Sequence, residues 1–242
     1  MEGQTEEQRQ QSDVQETVNR LLSGKKSIRV LEAGCGSTAH LSFPAPCHMT
    51  GIDISERQLE RHKLLEERIV GDLQTYRLPA ASFDAVVCWD VLEHLRDPVA
   101  AVKNMAAAVR PGGILVLACP NPLSFKGLGA RLTPHWFHVW FYRHILGIKY
   151  AGTDDRGPFP TVMSRRIGAG PICALAESCG LTVELRRVSK HSWWYGKHSV
   201  PQRVLERCLD GLAAVLRALT FGKFRGELAE TRLVFSRPPA KP

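Results

Sequence analysis

Two glycines and two acidic residues stand where a small-molecule ligand could be held. Gly34 and Gly36 follow an apolar run that begins at Ile28, and a residue without a Cβ lets the backbone turn sharply and approach a ligand closely. Asp53 ends a second apolar run, and Asp72 follows a third. The first carboxylate can accept hydrogen bonds from both hydroxyls of a ribose, and the second can accept from the exocyclic amine of an adenine. The pattern therefore predicts a site for an adenine nucleoside.

A parallel sheet would bring these residues together. Continuous apolar runs alternate with helical patterns, which is typical of a sheet covered on both faces. The carboxyl ends of parallel strands share one edge, and ligands bind there in open α/β folds. The predicted strands are 28–32, 49–53, 69–71, 83–89, 113–119, 182–188 and 230–236, and the predicted helices are 56–67, 98–109, 136–146, 171–179 and 201–219.

Composition excludes several classes of protein. Hydrophobic residues make up 44% of the 242 residues and charged residues 23%, which rules out bulk disorder. No run of 18 apolar residues predicts a transmembrane helix, and the polar N-terminus lacks the apolar core of a secretory signal. The seven cysteines are odd in number and include no CxxC pair, so we predict reduced thiols in a cytoplasmic protein rather than disulfides or a zinc site.

Charge is divided unevenly along the chain. The net charge is +8, but residues 1–119 carry −3 and residues 120–242 carry +11. Such asymmetry indicates either an anionic partner for the second half or a basic solvated face, and the sequence favours neither. No run of five or six like charges predicts a nucleic-acid-binding tail.

The chain resembles the class I S-adenosylmethionine-dependent methyltransferases over residues 28–120. It carries in order the runs VLEAGCG, GIDIS, GDL, FDAVVCWDVLEHLRDP and VRPGGILVL, which together are specific for that family. VLEHLRDP and the later PNP are most similar to the ubiquinone-type O-methyltransferases and their natural-product relatives. The fourth strand is not followed by an Asn/Asp-Pro-Pro-aromatic tetrad, which argues against methylation of a nucleobase amine.

The resemblance implies a fold and a domain organisation. We expect an α/β, Rossmann-like sheet of seven strands in the order 3-2-1-4-5-7-6, with the last strand antiparallel and helices on both faces. An N-terminal helix within residues 1–27 is expected to cover the cofactor site. The methyltransferase domain would then fill residues 28–242, with substrate-lid insertions at about 120–165 and 189–228.

The resemblance also implies S-adenosyl-L-methionine as the cofactor. Asp53 would hold the ribose, Ile54 would lie beside the adenine, and Asp72 would bind the adenine amine. The methionine end would be surrounded by Glu32, Gly34, Gly36 and, at the tip of the fourth strand, Trp89.

Two features depart from the family pattern. Ser37 and Thr38 follow Gly36, so the usual third glycine of the loop is absent. Residues 40–49 contain two prolines, so we expect a short first crossover helix. A dinucleotide site is the competing interpretation of the loop, but its fingerprint needs glycine at position 39, which is alanine. Some dinucleotide sites tolerate that alanine, so the loop alone does not exclude them. The acidic residues Asp53 and Asp72 and the run VLEHLRDP favour the methyltransferase interpretation.

Five residues are candidates for a general base that would deprotonate a hydroxyl acceptor. His94 could be that base or could shape the site instead. The other plausible bases, which the sequence does not rank, are His135, His138, Tyr142 and His191. The spacing of His135 and His138 could suit a metal on a helix, but no acidic or cysteine ligand lies near, so we predict no metal.

The second half of the chain must hold the acceptor. Aromatic residues cluster at 136–142 and 193–195, and aromatic walls bind apolar or planar ligands. We predict O-methylation of a lipophilic, phenolic or glycosylated small molecule in secondary metabolism, with an acceptor that is anionic or lipophilic. One alternative is an RNA or protein methyltransferase, although no nucleic-acid-binding module is present. The other is a methyltransferase-fold protein that docks on a membrane surface through residues 131–149 and binds a lipid-linked substrate. The oligomeric state stays open.

Overall fold

The computed structural model describes residues 6–190, 200–221 and 225–240. Seven strands form one sheet in the order β3-β2-β1-β4-β5-β7-β6, which confirms the predicted topology. The strands β1 to β5 pair in parallel, and β7 runs antiparallel to both β5 and β6. The strands are β1 (Ile28–Ala33), β2 (Cys47–Asp53), β3 (Glu67–Val70), β4 (Phe83–Trp89), β5 (Val109–Pro120), β6 (Thr182–Lys190) and β7 (Leu228–Ser236).

Helices cover both faces of the sheet, as predicted. Successive strand residues point to opposite faces, so Val86 belongs to one apolar cluster and Val87 to the other. The described helices are α1 (Glu6–Leu21), α2 (Glu56–Arg61), α3 (Pro98–Ala108), α4 (Phe125–Leu132), α5 (His135–His144), α6 (Ala169–Ser178) and α7 (Val200–Leu219), with 3-10 turns at Leu92–His94 and Arg165–Ile167.

Two helical predictions need correction, and one helix was not predicted. The helix predicted over 56–67 ends at Arg61, because His62 adopts an extended conformation. No helix forms between β1 and β2, where a short one was expected; Pro44 and Pro46 lie in that connection and disfavour helical hydrogen bonding. The insertion after β5 also contains α4, which the sequence analysis missed.

The helix α1 packs on the sheet. Val14 and Val18 are fully buried in the same apolar cluster as Val30. Two ion pairs tie α1 to β6, one of 3.1 Å from Arg20 to Glu184 and one of 3.0 Å from Asp13 to Arg187. The described α1 side chains begin at residue 12, and none of them lines the cavity described below. The side chains of residues 1–11 lie outside the described part, so the covering of the cofactor site by this helix stays a prediction.

Predictions were also made for the second aromatic cluster, the cysteines and membrane-spanning helices. The aromatic residues 193–195 lie outside the described residues. All seven cysteines are free thiols, and four of them are buried. None of the described helices has the length and apolar character needed to cross a bilayer.

Candidate cofactor and acceptor site

A cavity of about 440 Å³ opens at the carboxyl edge of the sheet. Residues at or just after the ends of β1, β2, β3 and β4 form one side of it, among them Gly34, Asp53, Asp72 and Asp90. The opposite side comes from the insertion after β5 and is formed by Asp155, Phe159 and Pro160. The structure thus brings together the strand-end residues that the sequence placed at one edge.

The loop after β1 is a cradle that requires glycine. Gly34 and Gly36 adopt φ values of +69° and +54°, in the left-handed region that favours residues without a Cβ. A Cβ at Gly34 would come within 2.5 Å of the Val91 side chain. The Gly34 N–H donates to the Ile52 carbonyl at 2.7 Å, which fixes the loop against β2. The backbone here can therefore approach a ligand where a side chain would stand in the way.

Asp53 joins this loop to the start of α2. Its Oδ2 accepts from the Gly36 N–H at 3.0 Å, and its Oδ1 accepts from the Ser55 N–H at 2.8 Å. Each carboxylate oxygen has a second lone pair, so a ribose diol can still donate to both oxygens. Ile54 lines the cavity beside it with 76% of its surface exposed, available to a flat ring.

Asp72 lines the cavity with Gln74 bound to it. Its Oδ1 accepts from the Gln74 backbone N–H at 2.9 Å, and the Gln74 Nε2 group donates to both oxygens at 2.9 and 3.0 Å. The Gln74 Oε1 atom in turn accepts from the Asp97 N–H at 2.8 Å. An amide donor therefore already uses the carboxylate that was predicted to take an adenine amine, and an adenine would share or displace it.

Glu32 and Trp89 lie outside the described lining of the cavity. Glu32 is 2% exposed, its Oε1 atom has no hydrogen-bond partner among the described residues, and burial raises the pKa of its carboxyl to about 8. The Trp89 ring stacks on His40 with 5.1 Å between centroids, and the Arg232 guanidinium lies 5.3 Å from its centre. Their place at the methionine end of the cofactor stays a prediction.

His94 is the one proposed base that lines the described cavity. Its Nδ1 lies 2.8 Å from the Pro160 carbonyl oxygen. Because a carbonyl only accepts, Nδ1 carries the proton in this contact and Nε2 of the neutral ring presents a lone pair. Burial lowers the pKa of His94, which favours that neutral form. The ring also meets the edge of Phe159, with 5.9 Å between centroids.

Three other candidate bases lie on α5 and are not part of the described lining, and His191 lies outside the described residues. The His138 Nε2 atom is 2.7 Å from the Thr133 hydroxyl, and the rings of His135 and His138 meet edge to face at 6.3 Å. Burial lowers the pKa of His138. The described residues include no group of three or more His, Cys, Asp or Glu side chains placed to hold a metal ion.

The charge of the lining discriminates between cofactors. Asp53, Asp72, Asp90 and Asp155 face the cavity, and the described lining includes no lysine or arginine. Four carboxylates repel the pyrophosphate of a dinucleotide and attract a cation such as a sulfonium. This charge and the glycine cradle fit S-adenosylmethionine, whose ribose and adenine would meet Asp53, Ile54 and Asp72.

Sequence reasoning missed several lining residues. Asp90 adjoins Trp89 in a quoted motif, and its φ of +53° turns the chain into the cavity region. Gln58 and Gln74 lie within five residues of Asp53 and Asp72, but a glutamine near a motif does not by itself predict a ligand contact. Asp155 and Phe159 come from the insertion, where no spacing pattern points to the cofactor.

Comparison with known proteins gives a family. A family model described as a methyltransferase domain matches residues 6–154, more than half of the chain. The ubiquinone biosynthesis O-methyltransferase of Idiomarina loihiensis is 36% identical over 148 residues, covering 57% of this chain and 56% of that protein. The enzyme of the same name from Bordetella avium is 30% identical over 149 residues, covering 54% of this chain and 61% of that protein. The chain thus spans about three fifths of the length of these relatives.

Solved structures share the fold over nearly the whole chain. An S-adenosylmethionine-dependent methyltransferase from Mesorhizobium loti has a TM-score of 0.54 at 15% identity, covering 96% of this chain and 97% of that one. A methyltransferase structure from Bacillus halodurans has a TM-score of 0.52 at 14% identity, covering 95% of this chain and all of that one. With the family match and the fitted cavity, these findings show that the chain belongs to the S-adenosylmethionine-dependent methyltransferases and that S-adenosyl-L-methionine is its cofactor.

Proposed function

We propose that this protein methylates an oxygen atom of a lipophilic small molecule, a phenol, quinol or related metabolite. The observation that carries the proposal is His94, which lines the cofactor cavity as a neutral, oriented imidazole. The similarity to ubiquinone biosynthesis O-methyltransferases supports the acceptor class. An oxygen acceptor needs such a base, because a hydroxyl must lose its proton to become a good nucleophile.

The chain's own residues do three things in this reaction. Bound S-adenosylmethionine supplies a methyl group on a positively charged sulfur, which is already activated for transfer. Asp53 and the glycine loop hold the nucleoside, so that donor and acceptor meet at a fixed distance and angle. His94 Nε2 takes the hydroxyl proton, and the Pro160 carbonyl keeps the ring in the required tautomer. Phe159 and Leu95 add apolar surface that limits water at the cavity.

A variant pair tests the base. His94→Gln should lower kcat by about 100-fold, the lower end of the usual effect of a general base. Wild-type kcat/KM should fall as the pH drops through the lowered pKa of His94, and this fall should vanish in the variant. His48→Gln is the matched control, because His48 lies at the start of β2 and pairs with Glu66 at 3.2 Å.

The assay follows methyl transfer to a panel of phenols, quinols and glycosides by mass spectrometry. Transfer to phenols or quinols, with the expected loss in His94→Gln, supports the proposal. Transfer only to RNA or protein, or a His94→Gln variant with the wild-type pH profile, would contradict it.

An exposed aromatic surface supports a peripheral membrane contact as part of this function. We define the α5 surface as Leu132, Trp136, Trp140, Ile145, Ile148 and Tyr150, all at least 41% exposed. Trp136 and Trp140 are four residues apart and share one side of α5, which has no buried residue. Aromatic rings on one side of an exposed helix are typical of segments that lie in a membrane interface.

The charge around the α5 surface selects an anionic lipid surface as its occupant. No aspartate or glutamate occurs between Asp97 and Asp154, whereas Arg131, Arg143 and Lys149 lie within or beside the surface and are exposed. Each such basic residue near an anionic leaflet contributes about 1 kcal/mol of binding free energy. A membrane contact here would also place the cavity near a lipophilic acceptor.

Flotation with lipid vesicles tests this contact. The protein should float with vesicles that contain phosphatidylglycerol, and less with pure phosphatidylcholine. The double variant Trp136→Ser/Trp140→Ser should lose flotation, whereas Leu64→Ser, which removes an exposed apolar side chain beyond α2, should keep it. Equal flotation of the double variant and wild type would remove the α5 surface from the proposal.

A further inference from the structure

A segment of the insertion crosses the cofactor cavity and is bonded at both ends. We define the strap as residues 154–163. At one end, Arg61 Nη1 donates to the Asp154 carbonyl at 2.7 Å, and Gln58 Nε2 donates to the Asp155 carbonyl. At the other end, the N–H groups of Val162 and Met163 both donate to the Glu93 carbonyl at 2.9 Å.

The strap carries a carboxylate to the ribose end of the cavity. Ser55 lies between two acids: its N–H donates to Asp53 Oδ1 at 2.8 Å, and its hydroxyl donates to Asp155 Oδ2 at 2.9 Å. Asp53 and Asp155 therefore face the cavity from opposite sides of one residue. Asp155 adopts a φ of +52°, which an aspartate tolerates better than most residues and which turns the chain back over α2.

The strap also touches the proposed base. The Pro160 carbonyl accepts from His94 Nδ1 at 2.8 Å, and Phe159 packs against the same ring. Asp155 and Pro160 belong to one short segment whose far end is fixed on Glu93. The position of the strap at Ser55 is therefore linked through five residues of backbone to the orientation of the imidazole.

We propose that Asp155 is a further cofactor-binding residue, supplied by the strap, and that cofactor binding holds the strap in the position that orients His94. A ribose hydroxyl that donates to Asp155 adds a charge-assisted hydrogen bond across the gap between the strap and α2. In the described structure, Ser55, Gln58 and Arg61 join this end of the strap to α2 and the residue before it. The first part of the proposal rests on the cofactor alone; its link to His94 rests on the proposed function.

Adjacent aspartates give a matched pair of variants. Asp155 uses its carboxylate toward Ser55, whereas Asp154 contacts Arg61 through its backbone carbonyl, which a side-chain substitution leaves in place. Asp155→Ala should weaken the binding of S-adenosylhomocysteine by about tenfold, as expected for one lost charge-assisted bond. Asp154→Ala should bind with wild-type affinity. Calorimetry measures both, and a circular dichroism spectrum checks that each variant is folded.

Hydrogen exchange measures the strap directly. In wild type and in Asp154→Ala, S-adenosylhomocysteine should slow exchange in residues 154–163, and in Asp155→Ala this protection should be lost. Wild-type affinity and protection in Asp155→Ala would overturn the proposal. Equal losses in both variants would overturn it too, because they would show a general need for the loop rather than for the Asp155 carboxylate. None of these readouts requires an acceptor, so they stand or fall separately from the proposed reaction.

Discussion

Buried carboxyl groups at the two ends of the parallel strands, here called the two edges of the sheet, differ in how fully they are hydrogen-bonded. At the edge where β4 begins, Asp84 is fully buried and accepts from Lys25 Nζ at 2.7 Å, from Arg110 Nε at 2.6 Å and from the Arg29 N–H at 2.8 Å. At the edge where the strands end, Glu32 and Glu93 are as deeply placed, yet each has one carboxyl oxygen without a partner among the described residues.

The pKa values follow the same division. Burial alone would raise the pKa of Asp84, but hydrogen bonds from Arg110 and Lys25 hold it below its usual value. Burial raises the pKa of Glu32 to about 8 and that of Glu93 well above its usual range, with the charge of Asp90 adding to the second effect. The carboxyl group at the start of β4 is therefore fully hydrogen-bonded by the chain itself, whereas Glu32 and Glu93 each keep a buried oxygen without a partner among the described residues. Such unmatched groups cost stability and are expected mainly at functional sites.

The largest expected effect concerns the edge where β4 begins. Asp84→Ala leaves two cations and a backbone N–H without their buried acceptor, so we expect a loss of about 3–5 kcal/mol in the free energy of unfolding. Denaturant unfolding at pH 7 measures this loss. Because the Asp84 pKa is depressed in the folded state, its contribution is present above pH 3.8, the unfolded value, and is lost as the pH falls through the lower folded value.

The Asp84→Ala variant also tests whether the two edges have separate roles in stability and in ligand binding. The folded Asp84→Ala protein should bind S-adenosylhomocysteine with wild-type affinity, because Asp84 lies at the far end of β4 from the cavity. A stability loss under 1 kcal/mol, or a large loss of affinity, would show that the edges do not divide their roles in this way.

A smaller effect is expected at Glu32. Its folded pKa of about 8 lies above the unfolded value of 4.5, so the folded protein binds a proton that the unfolded chain has released. Its contribution to stability therefore falls as the pH rises through 8. The neutral Glu32→Gln variant lacks this fall, so its stability should improve relative to wild type by about 2 kcal/mol between pH 6 and pH 8. Parallel denaturation curves at the two pH values decide it, and a constant difference would refute the raised pKa.

The edge built from consecutive strands could be predicted from the sequence. β4 was predicted with its observed ends, and Gly34, Asp53 and Asp72 were placed together because each lies at or just after the end of an apolar strand. These features are local, so a short window of sequence contains them. Strand order and the antiparallel β7 came from the family resemblance, and the structure confirms them.

The insertion after β5 could not be predicted in the same way. Asp155 contacts Ser55, which lies 100 positions earlier in the sequence, and no local pattern near Asp155 predicts that contact. The rings of α5 were expected over the acceptor, which stays a prediction. Trp136 is 69% exposed, and the residues of the insertion that line the described cavity include Phe159 and Pro160. An aromatic stretch fixes neither the side on which a lid packs nor the loop that completes it. For the same reason, the sequence could not tell that His94, rather than His135 or His138, lines the described cavity.

Asp53 is expected to affect ligand binding far more than stability. Asp53→Asn keeps the shape of the side chain and an acceptor for one of the two backbone N–H groups, but the negative charge that a ribose diol would meet is lost. We expect affinity for S-adenosylhomocysteine to fall by about tenfold, equivalent to about 1.4 kcal/mol, because charge-assisted hydrogen bonds are worth more than neutral ones. Calorimetry measures the affinity, and thermal unfolding without ligand should change little. Asp84→Ala should therefore lower stability and leave binding intact, whereas Asp53→Asn should weaken binding and leave stability nearly intact. Wild-type affinity in Asp53→Asn would mean that the cavity holds the nucleoside through other groups, with Asp53 serving only to tie the glycine loop to α2.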